Sequence, residues 1–380
     1  MIQDSPAVLR LITRLNVGGP GIQALTLTRE LTSWPTVLAA GWCEESEREL
    51  DFSSNEVLRV PLARSVRPIA DVRAIHVVTG LVRHLQPEII HTHTAKAGVV
   101  GRIAGIRTRP RPLLVHTFHG HSLDGYFGRT ASWFFERVER GLATKTDILI
   151  VVSPEIRDFL LSREIGRPDQ YRVLPLGVDL DKFGGHSFAN LRGDLGIPWE
   201  CHLVGIIGRL TRIKDHATSL AALTLIPNAH IVVVGDGELR KSLEQLASNL
   251  GIGERAHFLG WRGDIPEILS ALDLVISTSR NEGTPRALIE AHASGRPAVA
   301  TQVGGVPSVV LDGRTGFLVP PGDPSALASK VTTLLEDDNL RMKMGNAARK
   351  HVEAHFGISQ LKSNHSLLYA NLVASRGQAR

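Results

Sequence analysis

Two carboxylates, Glu282 and Glu290, stand eight positions apart in SRNEGTPRALIEAHASGRPAVAT, residues 279–301. Ionised carboxylates accept hydrogen bonds, so such a pair suits the hydroxyls of a polar ligand. The residues around them read as helix punctuation. Thr284 has an N-cap side chain, and Pro285 fits a first helical position. Gly295 falls where a left-handed exit is needed, with Pro297 just beyond. The spacing therefore predicts a helix over PRALIEAHAS, with Glu282 in the loop at its mouth and Glu290 inside it. An acid near a helix start is also simply stabilising, which is the plain reading of Glu282. Glu290 sits among Ala287, Leu288, Ile289, Ala291 and Ala293. A charge buried there needs a partner.

A second constellation is GRLTRIKDH, Gly208 to His216. Arg209 and Lys214 could converge on a diphosphate, one as a fork and the other as a compact charge. A cation at a helix start opposes the helix dipole, and an anionic ligand would remove that conflict. The alternative is a solvated basic helix start. NVGGPGIQ, Asn16 to Gln23, places Gly18 and Gly19 after an apolar run, where backbone N–H groups can approach an anion. It lacks the ending of a P-loop and the spacing of a dinucleotide fingerprint, and a tight strand-to-helix turn explains it equally well. The histidines form a third set: His91 and His93, then His116, His119 and His121. Alternate strand residues share a face, so His91 and His93 can point together. A zinc site would want a carboxylate or thiolate in the pattern, and only Asp124 is near, so no metal is assigned. A neutral imidazole orienting hydroxyls suits His119. For His91 and His116, a strand-end core role stands beside any functional one.

These residues need a frame. Short Val/Ile/Leu runs alternate with helical patterns along the chain: AVLRLITRL, PEIIHTHT, PLLVHTFHG and DILIVVSPE, then HLVGIIGRL, HIVVVGDG, AHFLGW, LDLVIST and PAVATQVGG. Such runs suit strands covered on both faces, and the alternation implies parallel α/β sheets. With 380 residues the chain is long for one core, so one sheet per half is expected. The Gly- and Asp-rich stretch Gly177–Pro198 separates them. Domains are drawn at 1–185, 196–358 and 359–380, the last a helix packing back toward the N-terminal domain. Glycines follow the strands at Gly18-Gly19, Gly208, Gly235-Asp236-Gly237 and Gly304-Gly305. Two facing domains would set these loops around one cleft, where open parallel sheets bind ligands.

Composition narrows the class. The formal charge of +5 is spread over both halves and aromatics are 5%, which speaks against a nucleic-acid partner. The two cysteines, Cys43 and Cys201, have no metal-ligand spacing and imply no disulfide framework. No secretory or membrane-spanning run is evident, so a cytoplasmic location is expected. GRIAGIRTRPRP, residues 101–112, has four arginines and no acid. It could meet anionic lipid at the inner membrane face, or be a solvated loop.

Together the motifs resemble glycosyltransferase family 4 and its two-domain GT-B fold over nearly the whole chain. The resemblance rests on the order GGPGIQ, HTFHGH, GRLTRIKDH, VVVGDGELR, FLGW, the Glu282–Glu290 spacing, GGVP and TGFLVPPGD. It implies a retaining transfer of a sugar from a nucleotide-diphosphate donor, UDP-linked by analogy, to a glycan or lipid-linked acceptor. The donor is a substrate, and neither cofactor nor metal is implied. By matching position, Arg209 and Lys214 would neutralise the diphosphate and Glu290 would hold the ribose hydroxyls. Glu282, with the Gly283–Thr284 backbone, would hold the donor sugar, and His119 would lie against that sugar. Gly18, Gly19 and Gly208 would allow close approach to the donor, and Leu259–Gly260–Trp261 would lie near the base. Ser308 stands where many relatives carry an acid. Asp124 and Tyr126 are candidate acceptor contacts. A GT-B nucleotide-sugar epimerase and a non-catalytic nucleotide-sugar-binding subunit remain as alternatives.

Overall fold

The computed structural model describes residues 6–45, 47–52, 57–120, 129–184 and 191–378. In the N-terminal half seven strands form one parallel sheet: β1 (Val8–Arg14), β2 (Thr36–Gly41), β3 (Val57–Arg59), β4 (Ile89–His93), β5 (Leu113–Phe118), β6 (Ile148–Val151) and β7 (Tyr171–Val173). Their order is β3-β2-β1-β4-β5-β6-β7. Six strands form the second parallel sheet: β8 (His202–Ile207), β9 (Ala229–Val234), β10 (Ala256–Gly260), β11 (Leu274–Ser277), β12 (Ala298–Thr301) and β13 (Gly316–Val319). Their order is β10-β9-β8-β11-β12-β13. Order reverses beside β1 in one sheet and beside β8 in the other. The loops after β1 and β4, and after β8 and β11, thus flank topological switch points, where such sheets bind ligands.

The aliphatic runs form strands because both faces of each sheet are covered. Leu9, Leu11, Ile90 and Leu114 pack with Ala74, Val78 and Val82 of the helix Pro68–Leu85 and Ala97, Val100 and Ala104 of the helix Ala95–Ile106. The alternate residues Val8, Ile89, Val115, Ile148 and Ile150 pack with Leu368 and Tyr369 of the C-terminal helix Ile358–Gln378. In the second sheet Val204, Ile206, Ile231, Val233, Leu274 and Ile276 share a core with Leu220, Leu243 and Leu327 from three helices.

The chain divides into two compact units, Met1–Gly177 with Ile358–Arg380, and Val178–Gly357. The first unit is therefore built from both ends of the chain, and the second is one continuous segment.

One expected loop is corrected. Residues 101–106 of the arginine-rich segment belong to the helix Ala95–Ile106, not to a solvated loop. Arg102 is fully buried and binds both oxygens of Glu139, at 2.8 and 2.7 Å. It cannot meet lipid. The helix lies close on the sheet: a Cβ on Gly101 would stand 2.5 Å from Thr92 Cγ2. Among the described residues no helix is long and apolar enough to cross a membrane.

Candidate active site

In the second unit the β8 and β11 loops are stitched together. After β8 the chain turns through Arg212–Lys214, and Asp215, at φ 47, swings it into the helix His216–Leu223. The Arg280 N–H donates to Ile213 O at 2.8 Å, and Thr278 Oγ1 donates to Asp215 O at 2.9 Å. This brings Lys214 to Glu282, with Nζ 2.5 Å from Oε1. Ser279 Oγ donates to the same oxygen at 2.5 Å. Both contacts fall on Oε1, which leaves Oε2 to accept from a ligand hydroxyl. Glu282 is further held through its backbone. Its carbonyl accepts from Gly305 N at 3.2 Å, and Gly304, at φ 47, packs so close that a Cβ would lie 1.9 Å from that carbonyl oxygen. The Gly-Gly pair of GGVP is thus a support for the Glu282 loop.

The β8 exit is equally crowded. Gly208 N donates to Val234 O at 2.9 Å, and a Cβ on Gly235 would lie 2.0 Å from Gly208 O. Gly235 N donates to Gly260 O at 2.8 Å, so the ends of β8, β9 and β10 meet through backbone. Lys214 crosses over Gly208, its Cε 4.0 Å from where a Cβ would stand. His216 Nε2–H donates to Arg209 O at 2.9 Å, and burial holds this imidazole below its usual pKa, hence neutral. Arg209 itself is exposed, with no side-chain partner among the described residues. Leu259 and Gly260 close β10, and Trp261 beyond them is half exposed.

The helix bearing Glu290 differs from expectation at its start. It spans Arg286–Ala293, and Pro285 rather than Thr284 holds the N-cap position, at φ −75 and ψ 97 with no side-chain cap. The reason is local: Pro285 has an extended ψ, so its own carbonyl receives the first helical bonds, from Leu288 N at 3.0 Å and Ile289 N at 3.3 Å. The other end is as expected. Gly295 takes φ 70, and Gly295 N and Arg296 N donate to His292 O and Ala291 O, both at 2.9 Å. Glu290 has its partner one turn back, Arg286 Nε at 2.6 Å. Burial raises the Glu290 carboxyl above the usual range, and Arg286 opposes that.

In the first unit Gly18, in extended backbone, precedes the helix Gly19–Glu30. A Cβ on Gly19 would meet nothing within 4 Å, and one on Gly18 only Asn16 Nδ2 at 3.9 Å. Packing inside the protein does not demand either glycine. Gly21 differs: a Cβ there would lie 2.6 Å from Asn16 O. The histidines divide by sheet face. His91 and His93 do point together, with ring centroids 4.2 Å apart, and His93 Nδ1 meets His119 Nε2 at 2.9 Å. His116 lies on the opposite face, bonded to Thr92 Oγ1 at 2.8 Å. Burial pushes His119 down to about 3, so its imidazole is neutral at ordinary pH. Among the described residues no group of His, Cys, Asp and Glu has the arrangement of a metal site. His121, Asp124 and Tyr126 lie outside the described residues.

Sequence reasoning missed Ser279, His216 and Arg286, and of His93 it gave only its shared face with His91. Of the three missed, only Arg286 carried a signal, its four-residue spacing from Glu290.

Two Rossmann-like parallel sheets with glycine- and charge-bearing loops at their switch points define the GT-B class of glycosyltransferases. Residues 18–177 match the family described as glycosyl transferase 4-like domain, and residues 187–351 that described as glycosyl transferases group 1. The UDP-Gal:alpha-D-GlcNAc-diphosphoundecaprenol alpha-1,3-galactosyltransferase of Escherichia coli is 29% identical, over 88% of this chain and 89% of its own. The D-inositol 3-phosphate glycosyltransferase of Corynebacterium diphtheriae is 32% identical, over 70% and 67%. The structure of Anabaena Alr3699/HepE in complex with UDP-glucose superposes with a TM-score of 0.81 at 25% identity, over 97% of this chain and 99% of that one. The chain belongs to the group 1 glycosyltransferases, and it is a sugar-transferring enzyme.

Proposed function

We propose that this enzyme transfers a sugar, with retained anomeric configuration, from a UDP-sugar to a glycan or lipid-linked acceptor in glycoconjugate synthesis. The observation that carries the reading is the Lys214–Glu282 pair at the β8/β11 switch point. The similarity to a UDP-galactose-using, diphosphoundecaprenol-linked galactosyltransferase and to a UDP-glucose-bound structure supports the donor and the acceptor class.

The division of labour follows from charge. Phosphates repel carboxylates, so Arg209 and Lys214 take the diphosphate, while Glu282 Oε2 and the Gly283–Thr284 backbone take sugar hydroxyls. Glu290, fixed by Arg286, accepts from the ribose hydroxyls. Gly208, Gly18 and Gly19 leave room for the donor, Leu259, Gly260 and Trp261 flank the base, and His119 contacts the donor sugar. The bond from the anomeric carbon to the phosphate oxygen breaks as the bond to the acceptor oxygen forms on the same face, and the leaving phosphate takes the acceptor's proton. The main catalytic task is to stabilise the charge developing on the nucleoside diphosphate, which Arg209, Lys214 and nearby N–H groups perform.

The test has two stages. A thermal-shift screen of UDP-, GDP- and ADP-sugars should show stabilisation by the UDP series, because ligand bound to the folded state raises apparent stability. Donor supplied without acceptor should then show slow hydrolysis at most. An epimerised donor would replace this reading with epimerase activity.

A further inference from the structure

His93 has no role in the assignment above, yet it is fully buried and touches the one histidine that has. It ends β4, in register with Ile12 of β1 and Thr117 of β5. His91, two residues back, pairs in register with Arg10. These side chains share the sheet face covered by the C-terminal helix, which supplies Tyr369 and His365.

The proton positions can be assigned from the one group that can only donate. Arg10 is fully buried, donates to Thr28 Oγ1 at 2.9 Å and to Tyr369 Oη at 3.2 Å, and forms no ion pair among the described residues. Because Tyr369 Oη accepts from Arg10, its own proton is directed to His91 Nδ1, 2.5 Å away. His91 then carries its proton on Nε2 and donates it to Thr117 Oγ1 at 2.7 Å. Arg10, Tyr369, His91 and Thr117 thus form a directional chain, with only Arg10 Nε among its ring and guanidinium nitrogens left without a partner.

His93 and His119 present the remaining choice. One of the facing nitrogens, His93 Nδ1 or His119 Nε2, must hold the proton. The other nitrogen of His93, Nε2, is buried with no hydrogen-bond partner. An N–H there would be a buried donor with no acceptor, which is rarer and costlier than an unpaired lone pair, whereas a proton on Nδ1 has His119 Nε2 to accept it. The proton of neutral His93 therefore belongs on Nδ1.

We infer that His93 is a positioning residue: its Nδ1–H donates to His119 Nε2, which fixes the proton of His119 on Nδ1 and leaves that N–H as a donor to an oxygen of the transferred sugar. This rests on the assignment of His119 to the donor sugar. The structure supplies the reason for a histidine on β4, since its Nε2 has no acceptor while its Nδ1 faces His119.

Selectively 15N-histidine-labelled enzyme, read by long-range 1H–15N correlation, reports the tautomer directly, with His119→Gln identifying the His119 signals. A proton on His119 Nδ1 is expected, and a proton on Nε2 overturns the inference whatever the kinetics. In steady-state assays His93→Leu should lower kcat by about ten- to a hundredfold with little change in donor KM, by analogy with the loss of groups that orient a site residue through a hydrogen bond. His93→Asn keeps an N–H where Nδ1–H was and should recover most of that loss. In a His119→Ala background, His93→Leu should add nothing, and an additive loss overturns the inference. If His119→Ala is impaired and folded His93→Leu is not, positioning fails while the donor-sugar role of His119 stands. If His119→Ala turns over like wild type, both fail.

Discussion

Lys214 and Glu282 are 68 residues apart and share one short contact. Each has a contact in the free enzyme and a second task in the proposed donor complex. Free, the ammonium and Ser279 hold Glu282 Oε1 in place. In the proposed reaction the same ammonium would take the donor diphosphate. Lys214→Ala removes that charge, and a drop in kcat/KM of about a hundredfold or more is expected, as for removal of a preorganised charge-stabilising donor. Glu282→Gln keeps the shape but weakens the sugar contact and the Lys214 pair, with a similar expected loss. Both variants should melt within a few degrees of wild type, since a partly exposed ion pair adds little to stability. Steady-state rates matching wild type in both would remove the pair from the mechanism. The loop and helix placements of Glu282 and Glu290 were legible from Pro285 and Gly295. Of their partners, Arg286 was signalled by its four-residue spacing from Glu290, and Lys214 was not. Lys214 is too distant in sequence for any local pattern to join it to Glu282, and the contact between His93 and His119 spans two strands.

Elements were legible where their runs are aliphatic, more than by their length. Strands β1, β5, β8 and β9, six or seven residues each, announce themselves as aliphatic runs, whereas β3 and β7 have three residues each and too little pattern to separate them from loops. β2 was passed over although it has six residues, because TVLAAG ends in alanines and glycine. Glycines at element ends were visible, but not which ones the backbone needs. Gly295 and Gly304 both have positive φ, yet only Gly304 is pressed against another strand's loop. This separates two substitutions. Gly295→Ala places a Cβ in open space and should cost about 1 kcal/mol for the left-handed backbone alone, with activity unchanged. Gly304→Ala must displace the Glu282 carbonyl and with it the carboxylate proposed to hold the donor sugar. It should lose more than tenfold in kcat/KM and lose the thermal shift produced by UDP-sugar. Equal kinetic effects in the two variants would show that the Gly304 contact does not hold Glu282.

At the scale of the whole molecule two α/β halves and a last helix returning toward the first were sequence expectations, but nothing in QLKSNHSLLYANLVAS marks Tyr369 as the partner of Arg10 and His91. The membrane question is also global. With Arg102 buried, and Arg111 engaged by Asp147 at 3.1 Å, Arg107 and Arg109 are the exposed cations of that segment. If they meet anionic lipid, Arg107→Glu with Arg109→Glu should lower co-sedimentation with phosphatidylglycerol vesicles, and unchanged binding would rule the segment out. Acid stability follows from histidines in both units. Burial pushes His292, in the second unit, down to about 3 and His365, in the first, to about 4. Both folded values lie below the unfolded 6.5, so the unfolded chain binds protons first as pH falls. Stability is therefore complete above pH 6.5 and declines from there toward pH 4, by up to about 1.4 kcal/mol per pH unit for each such histidine. His292 isolates the effect: both its ring nitrogens are buried without partners, so His292→Leu removes an ionisable group without breaking a hydrogen bond. Denaturant unfolding at pH 7, 6, 5 and 4 should show the variant falling less steeply than wild type, by about one proton's slope, and parallel curves would mean that His292 takes up no extra proton on unfolding.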